Sequence, residues 1–544
     1  MPEGKTLRVL TLLTAVISAV LVAAVPSGAD ERRGADDRDA GPNASTALNA
    51  ECVAVPGVND RCPSWVATYD NANGHNGTDA ASAVALSPSG DRVFVTGGSW
   101  DNDTGDQGGC CPTAGGMDTA TAAFDPATGE RLWAARYNGA KNSKDKPLAI
   151  AVSPDGSTVF VTGSANQVVT PKGELTSDMM TLAYDAATGT RRWARVYSAP
   201  GAPLPYSGAH AVTVSPDGSR AYVTGFTRTW DPDTSVLSPP TATTIAYDAA
   251  TGAQLWVSGR PGGGLSIDVS PSGDRVYVTG FVQIPPGGPG QYLTMAYEAQ
   301  DPDHLGEVLW TATYAAGTSN MGALLDVSPD GSRVFVTGEQ SYDNGVTNSL
   351  QASRYGTVAY DAGTGDQLWA STHASPVLGS HIPTGLVSSP AGDRVFVTGY
   401  RVTPPYSSTE YVTVAYDSAT GAPAWANQYL QVGGTYTIPT GVAVSPDGGR
   451  VYVTGRSSVV SQDYTRGDIA TVAYAAATGV QAWAARFNSA PGQNFDYGSA
   501  VAVTPDGTGV LVAGASERRP VAAMGVVVNP SANPGDYVVL RYEA

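Results

Sequence analysis

A tetrapeptide of the form S/T-P-x-G returns eight times along this chain, and a chain built from one repeated unit folds by stacking copies of that unit. The copies read SPSG at 87, SPDG at 153 and 215, SPSG at 270, SPDG at 328, SPAG at 389, SPDG at 445 and TPDG at 504, spaced 55 to 66 residues apart. A valine-rich run follows each: VFVTG four times, VYVTG twice, AYVTG once and VLVAG at the end. A similar run such as AVALS, AVTVS or GVAVS precedes each. β-Branched alternation on both sides of a Pro-x-Gly turn is the signature of a β-hairpin.

The other half of the unit is LAYDAATGTRRWARVY (182–197), echoed by AAFDPATGERLW, IAYDAATGAQLW, VAYDAGTGDQLW, VAYDSATGAPAW and VAYAAATGVQAW. In these a Gly precedes a Trp by four residues, giving Trp133, Trp193, Trp256, Trp369, Trp425 and Trp483, and the longer copy MAYEAQDPDHLGEVLW keeps that interval at Gly306 and Trp310. Asp125, Asp185, Asp248, Asp361 and Asp417 read as turn formers, since a short carboxylate accepts the N–H groups that follow it. The unit thus supplies a second hairpin and four antiparallel strands in all. The chain opens this pattern with a lone fourth strand, SWVATY (64–69) with Trp65, and ends it on a lone third strand, DYVVLRYEA (536–544). These features predict an all-β fold: a single eight-bladed β-propeller of four-stranded antiparallel blades, closed by the N-terminal strand completing the last blade. The eight repeat tryptophans are then packing wedges between blades.

Length alone would suggest about three domains for what remains after the N-terminal region; the repeats replace that expectation with one ring over 51–544. Ahead of it, Lys5 and Arg8 precede the apolar run VLTLLTAVISAVLVAAV and a small-residue site ending at Ala29. Residues 1–29 therefore read as a cleaved signal peptide, with an uncleaved membrane anchor as the competing reading. Residues 30–50 read as a disordered spacer. A secreted, monomeric protein with no later membrane segment is expected. A formal charge of −18, from 49 acidic and 31 basic side chains, argues against a nucleic-acid partner.

Alternating strand direction puts the S-P-x-G and Thr-Gly turns at one end of the ring and the remaining connections at the other. The first set is short and uniform, whereas the second differs widely, as in GGSWDNDTGDQGGCCPTAGGMD (97–118), GFTRTWDPDTSVLSPPTAT (225–243) and GEQSYDNGVTNSLQASRYG (338–356). Variable loops on a rigid scaffold are where binding evolves. Trp100 and Trp230, the two tryptophans outside the repeat, fall there, as do the adjacent Cys110 and Cys111; all four are candidate ligand-binding residues, with local packing as the alternative for the tryptophans. Asp101, Asp103 and Asp106 place oxygen ligands at near-alternate positions, as in half of a Ca²⁺ loop, and a solvated acidic turn is the alternative. The five histidines, His75, His210, His304, His373 and His381, lack metal-ligand spacing. His75, His210 and His381 fall in connections of the variable end and read as scattered surface residues, with convergence across the ring as the alternative. An exported chain favours disulfides. Cys62 stands at the uniform end and Cys110 and Cys111 at the other, which favours Cys52 with Cys62 and Cys110 with Cys111.

The pattern A-x-D-x-x-T-G-x-x-x-W resembles the tryptophan-docking motif of the pyrroloquinoline-quinone (PQQ) dehydrogenase propellers, which have eight four-stranded blades. The SPDG…VYVTG halves look like the repeats of YVTN-type surface-layer and lactonase-like propellers. This resemblance implies PQQ and calcium as cofactors, and a vicinal disulfide of Cys110 and Cys111 against the quinone. The chain departs from the family in the placement of that pair, after VFVTG, and no catalytic aspartate or calcium ligand matches residue by residue. With no H-E-x-x-H, G-x-S-x-G or C-x-x-C-H present, the leading expectation is a binding module for a protein, glycan or small molecule. The alternatives are a PQQ- and calcium-dependent dehydrogenase and a lactonase-like metal-dependent hydrolase.

Overall fold

The computed structural model describes residues 61–69, 79–100, 117–141, 143–284, 288–342, 352–374, 379–403, 408–430, 436–458, 467–489, 494–518 and 535–544. Every described element is a β-strand. The first is β1 (Trp65–Tyr69), and the first blade follows as β2 (Ala80–Leu86), β3 (Val93–Trp100), β4 (Met117–Phe124) and β5 (Arg131–Tyr137), hydrogen-bonded in that order. The same four-stranded pattern recurs as β6–β9 within 144–197, β10–β13 within 205–261, β14–β17 within 263–314, β18–β21 within 319–373, β22–β25 within 380–429 and β26–β29 within 436–487. Blade 8 is β30 (Asn494–Val503), β31 (Gly509–Arg518) and β32 (Gly535–Glu543), completed by β1, whose Trp65 to Tyr69 pair antiparallel with Arg541 to Tyr537. No helix among the described residues is long and apolar enough to cross a membrane, and the apolar run at 9–25 lies outside them.

The repeated glycines show why the ring closes. In the S-P-x-G turns, a Cβ on each glycine would meet the proline ring of the preceding blade, from Gly156 on Pro88 at 3.5 Å round to Gly90 of blade 1 on Pro505 of blade 8 at 2.8 Å. In the Thr-Gly turns and the longer turn at Gly306, Gly129, Gly189, Gly252, Gly306, Gly365, Gly421 and Gly479 sit on the indoles of Trp65, Trp133, Trp193, Trp256, Trp310, Trp369 and Trp425. There a Cβ would lie 2.5–2.7 Å from a ring atom, and φ is +69° to +77°, so glycine is required on both counts. The indole N–H groups mostly donate to the same turns, as Trp193 Nε1 does to Ala249 O at 2.9 Å. Seven of the indoles, from Trp133 to Trp483, are also flanked by rings of their own and the next blade; Phe160 and Tyr247 lie 5.8 and 5.9 Å from Trp193. The aspartates form turns as expected, Asp125 Oδ1 accepting Ala127 N at 2.7 Å and Thr128 N at 2.9 Å.

The V-x-V-T-G run has a further logic. Its glycine lies beneath the innermost strand of its blade, where a Cβ would come within 1.8–2.2 Å of a carbonyl oxygen in all eight blades. At that level each innermost strand carries a β-bulge, which pushes one extra residue into the strand: Ser82, Leu148, His210, Leu265, Ala323, Thr384, Thr440 and Ser499. The threonine of the same run bonds a buried threonine on the third strand in seven blades, at 3.0–3.3 Å, as in Thr337 with Thr357. In blade 8 both partners are apolar, Ala513 opposite Val539. That joint replacement leaves no buried hydroxyl unpaired, which is the costly outcome.

Candidate functional site at the variable end of the ring

Eight residues before each S/T-P, at the variable end of the innermost strands, stand Asp79, Asp145, Ser207, Gly262, Asn320, His381, Thr437 and Asp496. The seven with side chains are all buried. Asp145, Ser207, Asn320, His381, Thr437 and Asp496 fasten one blade to the one before. Asp145 accepts Gly139 N at 2.5 Å from the preceding connection and Asn166 N at 2.9 Å, while Asp496 accepts Ser489 N at 2.8 Å and Ser489 Oγ at 2.9 Å. Where the residue is Ser, His or Thr, a hydroxyl on the third strand of the preceding blade takes its N–H: Ser177 for Ser207, Ser353 for His381 and Thr409 for Thr437. Burial pushes the Asp145 carboxyl up to about 6, against the pull of its two N–H donors. Asn166 enters this network in the left-handed region, at φ 56°, with its Nδ2 on Asp178 Oδ2 at 3.0 Å.

The histidines depart from the sequence expectation. His210 and His381 lie on innermost strands, not in connections, and His381 is 1% exposed rather than a surface residue. The connection is short enough that the strand begins before either histidine. His210 is the bulged residue of blade 3, its ring 5.4 Å from Phe226, and burial with Lys146 nearby pushes it down to about 4. His381 packs with His373 and Tyr355 of blade 5 at ring separations of 6.1 and 5.9 Å, so the pair that forms is not the one expected from the variable-end connections. His75 lies outside the described residues, and His304 stands in a uniform-end turn beside Asp301.

Trp230 follows the second strand of blade 3 and is part-buried; its Nε1 donates to Leu175 O of blade 2 at 2.7 Å. Ser235 Oγ meets Glu174 Oε1 at 2.5 Å across the same boundary, and Lys172 Nζ meets Pro232 O. Trp230 is therefore an anchor that locks two variable connections into one ridge, with Lys172, Asp233 and Val236 exposed on it. Trp100 ends β3 opposite Met117; its side chain, with Asp101, Asp103, Asp106, Cys110 and Cys111, lies outside the described residues. So does Cys52. Cys62, just before β1, is half of a disulfide, and its partner also lies outside them. Among the described residues, no three His, Cys, Asp or Glu side chains converge to hold a metal ion.

Two carboxylates stand on the innermost strands β14 (Gly263–Val269) and β18 (Ser319–Val327). Asp268 accepts Val269 N at 2.8 Å and Val327 N at 3.1 Å, and Asp326 accepts Ser388 N at 2.7 Å, stitching blades 4, 5 and 6 along their inner edges. Burial, and then repulsion from Asp326, push Asp268 up to about 7. Since its folded pKa lies above the unfolded value, its contribution is fully present at low pH and is lost as pH rises from about 4 to about 7. Asp268→Asn is therefore expected to gain about 1–3 kcal/mol over wild type between pH 4 and pH 8. Urea denaturation at several pH values checks this, and a pH-independent difference would refute it.

A family profile described as outer membrane protein assembly factor BamB, of the PQQ repeat type, matches residues 354–529. No curated protein matches the sequence significantly. Among solved structures, Sqt1 of Chaetomium thermophilum, bound to the N-terminus of ribosomal protein L10, aligns with TM-score 0.51 and 11% identity over 88% of this chain and 98% of its own. BamB of Moraxella catarrhalis gives TM-score 0.39 and 15% identity over 79% and 92%. A quinohemoprotein alcohol dehydrogenase of Pseudomonas putida HK5 gives 0.42 and 13% over 78% and 72%. At 11% identity the likeness to Sqt1 shows the fold alone, and a fold does not carry an activity.

Proposed function

We propose that this PQQ-like propeller is an exported binding module whose recognition surface is the variable end of the ring. The observation behind this reading is the asymmetry between the two ends. At one end the turns repeat one sequence and are locked by Pro–Gly and Trp–Gly contacts. At the other, connections of unlike length stand on a rigid buried polar layer, and the ridge of blades 2 and 3 is held in one shape by Trp230. Preorganised loops lose little entropy on binding. The resemblance of the fold to Sqt1, a protein bound to a peptide segment of another protein, makes a protein segment the occupant to test first.

Selection of displayed peptides on the purified protein, with a glycan array in parallel, tests this. The expected ligand loses binding with Lys172→Glu and Val236→Ser and keeps it with Asp447→Ala in a uniform-end turn. PQQ- and Ca²⁺-dependent dye reduction with alcohols, abolished by Cys110→Ser or Trp100→Ala, would overturn the reading in favour of a dehydrogenase.

A further inference from the structure

Seven of the eight blade tryptophans carry a turn glycine on the indole, six from Thr-Gly turns and Gly306 from the longer copy; among the described residues, Trp483 carries none. The reason is topological. The next blade takes its fourth strand from the N-terminal side of the chain, so no hairpin turn joins β32 to β1 and covers that ring. Arg61 lies there instead, with Cζ 5.5 Å over the Trp483 ring, and its Nη1 donates to Glu543 O at 2.5 Å and Ala544 O at 3.0 Å. Ala544 occupies the register of Ala186 and Ala249, whose carbonyls accept Trp133 and Trp193. With Arg61 on that carbonyl, Trp483 Nε1 finds no acceptor among the described residues. Three residues further on, Ser64 N and Oγ reach Arg541 O at 2.7 and 3.1 Å and lead directly into β1.

We propose that Arg61 is the latch of the ring, a planar cation that fills the seat held by a Thr-Gly turn in the other blades and keeps β1 paired with β32. A guanidinium suits the task because one flat group can stack on an indole face while its N–H groups serve the carbonyls a turn would have satisfied. The need is local: β1 has five residues, whereas every other strand has seven or more.

Hydrogen exchange of the full chain, read by mass spectrometry over 65–69 and 537–541, tests the latch. In Arg61→Ala, exchange in those two segments should accelerate about tenfold while blade 4 (263–314) is unchanged, a factor within the range of a part-buried cation–π contact and its hydrogen bonds. Arg61→Lys keeps the charge but not the fork, and should fall between the two. If Arg61→Ala does not fold, protection of β1 that is lower in Arg61→Lys than in wild type supports the latch. Unchanged exchange in β1, or equal acceleration in every blade, overturns it.

Discussion

Trp193→Ala is expected to lower stability by about 3–5 kcal/mol, the range for removing a large buried aromatic. The indole is 6% exposed, lies between Phe160 and Tyr247, donates to Ala249 O and carries Gly252 on its face. Removing it empties a boundary between blades 2 and 3 and leaves the Thr-Gly turn of blade 3 without a floor. Chemical denaturation measures the loss. A loss below about 1 kcal/mol would mean that the boundary closes without the wedge.

Gly280→Ala is expected to cost at least about 3 kcal/mol or to prevent folding, although it adds a single methyl group. That methyl would lie 1.8 Å from the carbonyl oxygen of Gly263. A carbonyl in a bulged strand cannot retreat without undoing the bulge, so the innermost strand of blade 4 would have to change register. Gly173→Ala is the control: its φ is +88° but nothing lies within 4 Å, so only backbone strain of about 1 kcal/mol is expected. Gly280 has no positive φ, so a loss there no larger than that of Gly173→Ala would show that the innermost strand yields to the methyl at little cost. Expression yield and denaturation midpoint together decide.

The ring, its closure and the wedging tryptophans were legible because they rest on residues that few others can replace. Glycine at positive φ against an indole, proline in a tight turn and tryptophan between sheets leave the same letters in every copy. The polar layer at the variable end was not legible for the opposite reason. One backbone N–H can be met from Ser177 as well as from Thr409, and one blade can be fastened by Asp145 or by His381, so no single letter holds the position in every copy. Only a fixed interval of eight residues before the proline turn marks it, and that signal is visible once the copies are aligned. The bulges escaped similarly, because the extra residue may be Ser82, Leu148 or His210 and interrupts no turn. His381 read as a surface residue since a polar letter next to Ser380 looks like a loop, whereas its strand already begins at Ser380.

The apolar pair of Ala513 and Val539 acquires a meaning in the order of assembly. Seven blades gather strands that are neighbours in the chain, and each can align its buried threonine hydroxyls while local contacts hold it together. Blade 8 joins segments as far apart as Ser64 and Arg541, 477 residues along the chain. Loop-closure entropy makes such a pairing slow and late. A seam closed last, by a strand arriving from a distance, is helped by a centre that needs only to exclude water, without orienting a hydroxyl pair. The one blade without that polar fastening is thus the one whose partners meet after the rest of the ring is built.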